Sequence, residues 1–127
     1  MYLTVPPSIS TNAVNTVLYV GGSTYQPSVT LSGNRSPLTF TASSSSTSVA
    51  TVSDPGSGNP RTITISPVAS GSTTITFSYS DGTQTATQTF TINVYGKVNL
   101  LFICFVLFYF GLFYFILFYF ILFLFCL

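Results

Sequence analysis

Residues 73–94 read Thr-Thr-Ile-Thr-Phe-Ser-Tyr-Ser-Asp-Gly-Thr-Gln-Thr-Ala-Thr-Gln-Thr-Phe-Thr-Ile-Asn-Val. Ile75, Phe77 and Tyr79 recur at every second position with hydroxyl residues between them. That period of two puts the apolar side chains on one face of a strand and the hydroxyls on the other. Asp81-Gly82 follows directly, a pair that tolerates the positive φ of a tight hairpin turn. The chain then runs from Thr83 to Val94, with Phe90, Ile92 and Val94 on one face. A β-hairpin is therefore predicted here, and an all-β fold begins from it.

Working outward, short apolar alternations recur at roughly ten-residue spacing, separated by Gly, Pro, Asn, Asp and Ser. Arg61–Ser66 presents Ile63 and Ile65 between Pro60 and Pro67. Ser48–Ser53 carries Val49, Ala50 and Val52 and is stopped by Asp54-Pro55-Gly56. Leu38-Thr39-Phe40 lies between Pro37 and the serine run 43–46. Gln26–Ser32 carries Val29 and Leu31, with Pro27 arguing for an unpaired or edge start. Thr16–Val20 carries Val17 and Tyr19 on one face and closes at Gly21-Gly22. With no 3.6-residue period over 16–95, about seven strands are expected to pack sheet on sheet, with residues 1–15 as an N-terminal extension or linker.

Several of these segments carry a resemblance. Leu18-Tyr19-Val20-Gly21-Gly22-Ser23-Thr24-Tyr25 resembles the "V-G-E-T" opening of bacterial immunoglobulin-like group 2 (Big-2) domains, the surface modules of the invasin and intimin type. Residues 40–53, Phe-Thr-Ala-Ser-Ser-Ser-Ser-Thr-Ser-Val-Ala-Thr-Val-Ser, resemble that family's "W-S-S-S-N-P-S-V-A-T-V-S". Ala69–Thr76 is similar to its "A-x-G-x-A-T-I-T", and Phe90–Val94 to its closing strand. Phe40 stands where the family usually has Trp, Gly22-Ser23 replaces an acidic residue, and Asp54–Pro60 is longer than usual. The resemblance implies an immunoglobulin-like sandwich in which Val49, Ala50, Val52 and Gly71 serve packing and turns, and no catalytic residues.

What it implies about function is a non-enzymatic structural or adhesive module at a bacterial cell surface. Its partners would be neighbouring Ig-like modules, or a surface glycan or protein ligand. An alternative is a phage virion domain decorating capsid or tail and touching host surfaces. A third reading, a small tail-anchored membrane protein, would make the polar half dispensable. The loops Ser32–Pro37 and Asp54–Pro60 are the candidate contact surfaces, since binding on such scaffolds falls in loops.

Composition points the same way about chemistry. Arg35, Asp54, Arg61, Asp81 and Lys97 are the only charged side chains, and there is no His or Trp. A net charge of +1 gives nucleic acid no basic footprint. Asp54 and Asp81 lie beside Pro55 and Gly82, where a turn role accounts for each without acid–base work. A serine nucleophile lacks a histidine base, and the remaining base, Lys97, sits at a boundary. Two carboxylates and no histidine make neither a calcium nor a zinc site. No catalytic, cofactor-binding or metal-binding residue is therefore expected. Asn34-Arg35-Ser36 spells a glycosylation sequon, with Pro37 beside it as an obstacle.

Past Tyr95-Gly96-Lys97 the character changes. Val98–Leu127 holds no charge, and its length as a helix, about 45 Å, exceeds a hydrocarbon core of about 30 Å. Residues 96–127 read as a hydrophobic tail, a candidate transmembrane helix inserting through 98–127. The only cysteines, Cys104 and Cys126, would stand about 33 Å apart on one straight helix and could not bridge. The tail also repeats Leu-Phe-Tyr-Phe every five residues from Leu107, a period of neither helix nor strand. Fifteen nucleotides of AT-rich simple sequence would encode it, so spurious translation stands as the other reading of the tail. An intact frame with varied codons would exclude that origin. Lys97 favours a cytoplasmic sandwich by the positive-inside tendency, whereas the resemblance favours an outside one. The segment from Met1 to Pro7 has neither the basic nor the apolar part of a signal peptide.

Overall fold

The computed structural model describes residues 3–97 and 100–125. Contacts divide the chain into two units, Met1–Lys97 and Val98–Leu127. Among the described residues the first unit holds nine strands: β1 (Ser8–Thr11), β2 (Thr16–Tyr19), β3 (Ser28–Ser32), β4 (Thr39–Ser44), β5 (Ala50–Ser53), β6 (Arg61–Thr62), β7 (Thr64–Pro67), β8 (Gly71–Ser80) and β9 (Thr85–Tyr95). The second holds one helix, α1 (Leu100–Phe125).

The predicted hairpin is the longest pairing in the sandwich. β8 and β9 run antiparallel in unbroken register from Gly71↔Val94 to Ser80↔Thr85. β4 joins the other side of β8, and β2 runs parallel to the last residues of β9, giving the order β2-β9-β8-β4. The facing layer is built from β1-β3-β6 and β5-β7. These two sheets are one layer interrupted at Ile63. Its N–H donates to the Pro27 carbonyl at 3.0 Å, and Tyr25 and Ile65 exchange backbone bonds at 2.9 Å.

Between the layers lies a continuous apolar core. Val29, Ile63, Ile65, Ile75, Phe77 and Ile92 have no exposed surface. A row of rings runs through it, with centroids 5.9 Å apart for Phe40–Phe77, 5.3 Å for Phe77–Phe90 and 6.3 Å for Tyr25–Phe90. Tilted and edge-on contacts of this kind add about 0.5–1.5 kcal/mol each beyond area burial.

The immunoglobulin-like sandwich agrees with expectation, and its details differ in physically instructive ways. Ser8–Thr11 lies in the segment expected to be a linker, yet it pairs antiparallel with β3, Ser8 facing Ser32. Ile9 packs on the core. One apolar residue in a four-residue strand after Pro6-Pro7 gives no alternation to read. In β2 the inward residue is Leu18, while Val17 and Tyr19 are half exposed, because Val-Leu-Tyr-Val is apolar at every position and carries no phase. The strand expected over Arg61–Ser66 breaks at Ile63. Ser43 and Ser44, the first half of the serine run, belong to β4 and are held by its ladder to β8.

In α1, five residues advance the azimuth by about 140° at 3.6 residues per turn. Tyr109, Tyr114 and Tyr119 therefore spread around the helix, and exposed apolar side chains face every direction. Ile103–Ile121 is a stretch of 19 residues long and apolar enough to cross a membrane. Val98, Asn99, Cys126 and Leu127 lie outside the described residues, and with them the Cys104–Cys126 separation and the ends of the tail expected over 96–127.

Candidate functional site

Strand register gathers the candidate contact loops at one end of the sandwich. β4 begins beside the end of β8 (Thr39↔Ser80), and β1 begins beside the end of β3 (Ser8↔Ser32). The β3–β4 loop, the β5–β6 loop, the β8–β9 turn and the stretch Leu3–Pro7 consequently share one pole. Asn34 ties two of them together: its Nδ2 donates to the Leu3 carbonyl at 2.8 Å, and its Oδ1 accepts from the Val5 N–H at 2.8 Å. The sequon amide is thus engaged in the fold.

Four of the five charged side chains meet at this pole, in two ion pairs. Arg61 Nη1 donates to Asp54 Oδ2 at 3.0 Å, and its guanidinium lies 4.9 Å from the centre of the Phe40 ring. Asp54 Oδ1 also accepts from the Gly56 N–H at 3.1 Å, fixing the turn after β5. A groove of about 460 Å³ opens beside this pair, with Phe40, Tyr79, Asn59 and Gly56 among its lining. Asn59 is itself a strut: its amide both accepts from Leu31 N–H at 2.9 Å and donates to Leu31 C=O at 2.7 Å, so the long loop is pinned to β3 as another strand would be.

The second pair is Arg35 Nε to Asp81 Oδ2 at 3.8 Å, beside a smaller hollow lined by Thr4, Pro6 and Gln84. Asp81 Oδ1 accepts from the N–H groups of Gln84 at 2.7 Å and Thr83 at 2.9 Å and from the Thr83 hydroxyl at 2.8 Å. Those donors, the Gln84 N–H foremost, hold its pKa at about 2 against an ordinary 3.8, with Arg35 adding least. A depressed carboxylate stabilises the fold above its unfolded pKa, and that stability is lost as pH falls through the folded value. Stability should therefore fall between about pH 4 and pH 2, and Asp81→Asn, which keeps an oxygen for the same donors, should flatten that fall. Urea midpoints across this window measure it; equal slopes for the two proteins would contradict the assignment.

The opposite pole is built from the family-like motifs. The Val49 carbonyl accepts from Val68 N–H at 2.9 Å and Ala69 N–H at 3.3 Å, so residues 48–53 and 69–76 are fastened to each other. Buried Thr73 sits at the centre of the serine run: its hydroxyl bonds Ser44 Oγ at 2.9 Å and Ser45 Oγ at 3.1 Å and accepts from the Ser46 N–H at 3.0 Å. Residues 7–90 match the family described as bacterial Ig-like domain (group 2). The chain belongs to that family.

Among solved structures, the Ig-like sandwich is similar to domains 4 and 5 of the S-layer protein SbsC, at 31% identity and TM-score 0.57, covering 72% of this chain and 53% of that one. For domains 5–6 of the same protein the values are 30% and 0.58, with coverages of 73% and 45%. The chain thus spans about half the length of these S-layer fragments. A chimeric titin carrying an exogenous decorin peptide matches at 17% identity and TM-score 0.55, covering 76% of this chain and 100% of that one, a likeness of fold alone. Among curated proteins, none matches the chain.

In this Ig-like domain the serine turn and the Ala-x-Gly segment lie at one end, and four of the five charged side chains lie at the other. No group of three His, Cys, Asp or Glu side chains comes together among the described residues. Of the loops named from sequence, Asp54–Pro60 lines the groove through Asp54, Gly56 and Asn59, whereas Ser32–Pro37 contributes none of its lining and places Arg35 at the smaller hollow instead. Sequence reading missed Tyr79 on the wall of the groove, since alternation marks that residue only as core. It also missed Asn59, whose setting among Gly58 and Pro60 signals a turn and nothing of its long-range bonds.

Proposed function

We propose that this chain is a structural module of a cell-surface protein, presenting the pole formed by 33–38 and 54–60 to a neighbouring Ig-like module or a surface glycan or protein ligand, with α1 holding it at a membrane. The observation that carries this is the division of labour between the poles. One end is consumed by packing motifs, while the other gathers four loops or segments, the groove and the paired charges. Membership of the family and the likeness to S-layer domains support a structural surface role. The run Ile103–Ile121 supports anchoring by its length and composition.

An epitope inserted at Ser57, at the tip of the exposed β5–β6 loop, tests the location. It should be recognised by antibody on intact cells, and staining only after permeabilisation would overturn the reading. In the same cells, an alkaline carbonate wash should leave the chain in the membrane pellet. Its release to the supernatant would remove the anchoring role while leaving the surface role to the epitope test.

A further inference from the structure

β9 is paired unequally on its two sides. Along β8 it is bonded from Thr85 to Val94, but β2 accompanies only Ile92–Tyr95. The Asn15 side chain extends that cover by one residue, its Oδ1 accepting from the Thr91 N–H at 2.8 Å. Above this point no strand among the described residues pairs with β9 on that side for six residues, Thr85–Phe90, about 20 Å of strand.

The direction of the open groups follows from the same bonds. Thr91 donates toward the β2 side, and Tyr95 accepts there from the Val20 N–H at 2.9 Å. Backbone groups alternate sides along a strand. The N–H and C=O groups of Thr85, Thr87 and Thr89 therefore point into the open edge. Ala86 and Gln88 share a face with Phe77 and Tyr79, their partners being Gln88↔Phe77 and Ala86↔Tyr79, yet Gln88 is exposed. This stretch overhangs the core that buries its neighbours.

Proteins ordinarily guard such an edge with charge, proline or a bulge. Thr85-Ala86-Thr87-Gln88-Thr89-Phe90 has none of them. The edge is also complementary to itself. In a two-fold antiparallel pairing centred on Thr87 or Gln88, threonine meets threonine on the outer face. Ala86, Gln88 and Phe90 then meet one another on the inner face, and no like charges oppose.

We propose that Thr85–Phe90 is an interface for a second copy of this chain, joining the two β2-β9-β8-β4 sheets edge to edge into one continuous sheet. The pairing would satisfy the outward groups of Thr85, Thr87 and Thr89 without rearranging either sandwich. It does not depend on what the loop pole contacts.

The test uses the full chain in excess detergent micelles, with Cys104 and Cys126 changed to Ser so that only introduced thiols react. Directly opposed Cα atoms in such a pair fall within disulfide range. Thr87→Cys in the register centred on Thr87, or Gln88→Cys in the one centred on Gln88, should give a disulfide-linked dimer on mild oxidation, whereas Thr74→Cys, on the outer face of central β8, should not. Adding Thr89→Pro to whichever of the two chains cross-links deletes an outward N–H while sparing the β8 ladder, and should abolish the dimer band. Cross-linking at positions 87 and 88 no greater than at 74 would overturn the proposal, as would a yield the proline leaves unchanged.

Discussion

Truncating Phe77 to alanine is expected to cost the sandwich about 3–5 kcal/mol. Among the described residues Phe77 is the largest side chain with no exposed surface, and its ring touches those of both Phe40 and Phe90. Its loss removes transfer free energy, leaves a cavity between two sheets that cannot collapse independently, and breaks the middle of the aromatic row. Against a total stability of about 5–15 kcal/mol for a domain, that is a large share. The thermal midpoint should fall by more than about 10 °C, at roughly 4–8 °C per kcal/mol for a unit of this size. Phe77→Leu should lie between the two. Circular dichroism on heating measures the series, and an alanine variant melting within about 2 °C of the parent would show that Phe77 is not central to the core.

Gly71→Ala should be the most damaging single methyl addition. At Gly71 φ is +152°, and a Cβ there would stand 2.9 Å from Val49 Cγ2. Backbone strain of this sort costs about 1–3 kcal/mol, and forcing a methyl into packed surroundings costs about as much again. The two causes separate in a double-mutant cycle. Val49→Ala removes the clashing methyls, so it should return the overpacking part and leave the strain. Additive losses in the double variant would mean that Val49 is not the obstacle. The family's Ala-x-Gly and Ser-Val-Ala segments are thus two halves of one contact, with a glycine where the other half's valine needs room.

How far the sequence could be read follows from what kind of signal each element carries. The β8–β9 hairpin was legible because apolar and hydroxyl residues alternate there over many positions and end at Asp-Gly. β1 was not, since Ser8–Thr11 has a single apolar residue and gains its place from pairing with β3. The phase of β2 was hidden by four apolar residues in succession, and only packing selects Leu18. The break at Ile63 arises because that residue pairs back toward Pro27, which offers a carbonyl but no N–H. The two contact loops could be named from their Gly, Pro and Asn content. That they lie at one end, with Arg61 over Phe40 and Tyr79 in the wall of the groove beside Asp54–Pro60, depends on strands far apart in sequence. Thr73 has the inward phase of Ile75 and Phe77, but its role at the centre of the serine turn appears only when β4 folds beside β8.

The two ion pairs at the loop pole have a consequence for kinetics. Each cation there is cancelled by a carboxylate within 4 Å, Arg61 by Asp54 and Arg35 by Asp81, so the pole projects almost no long-range field. A partner approaching it is not steered, and encounter should proceed at the rate typical of neutral surfaces, about 10⁵–10⁶ M⁻¹ s⁻¹. Salt, which slows charge-guided association, has little here to screen. Such a surface selects its partner by how long the complex lasts rather than by how fast it forms.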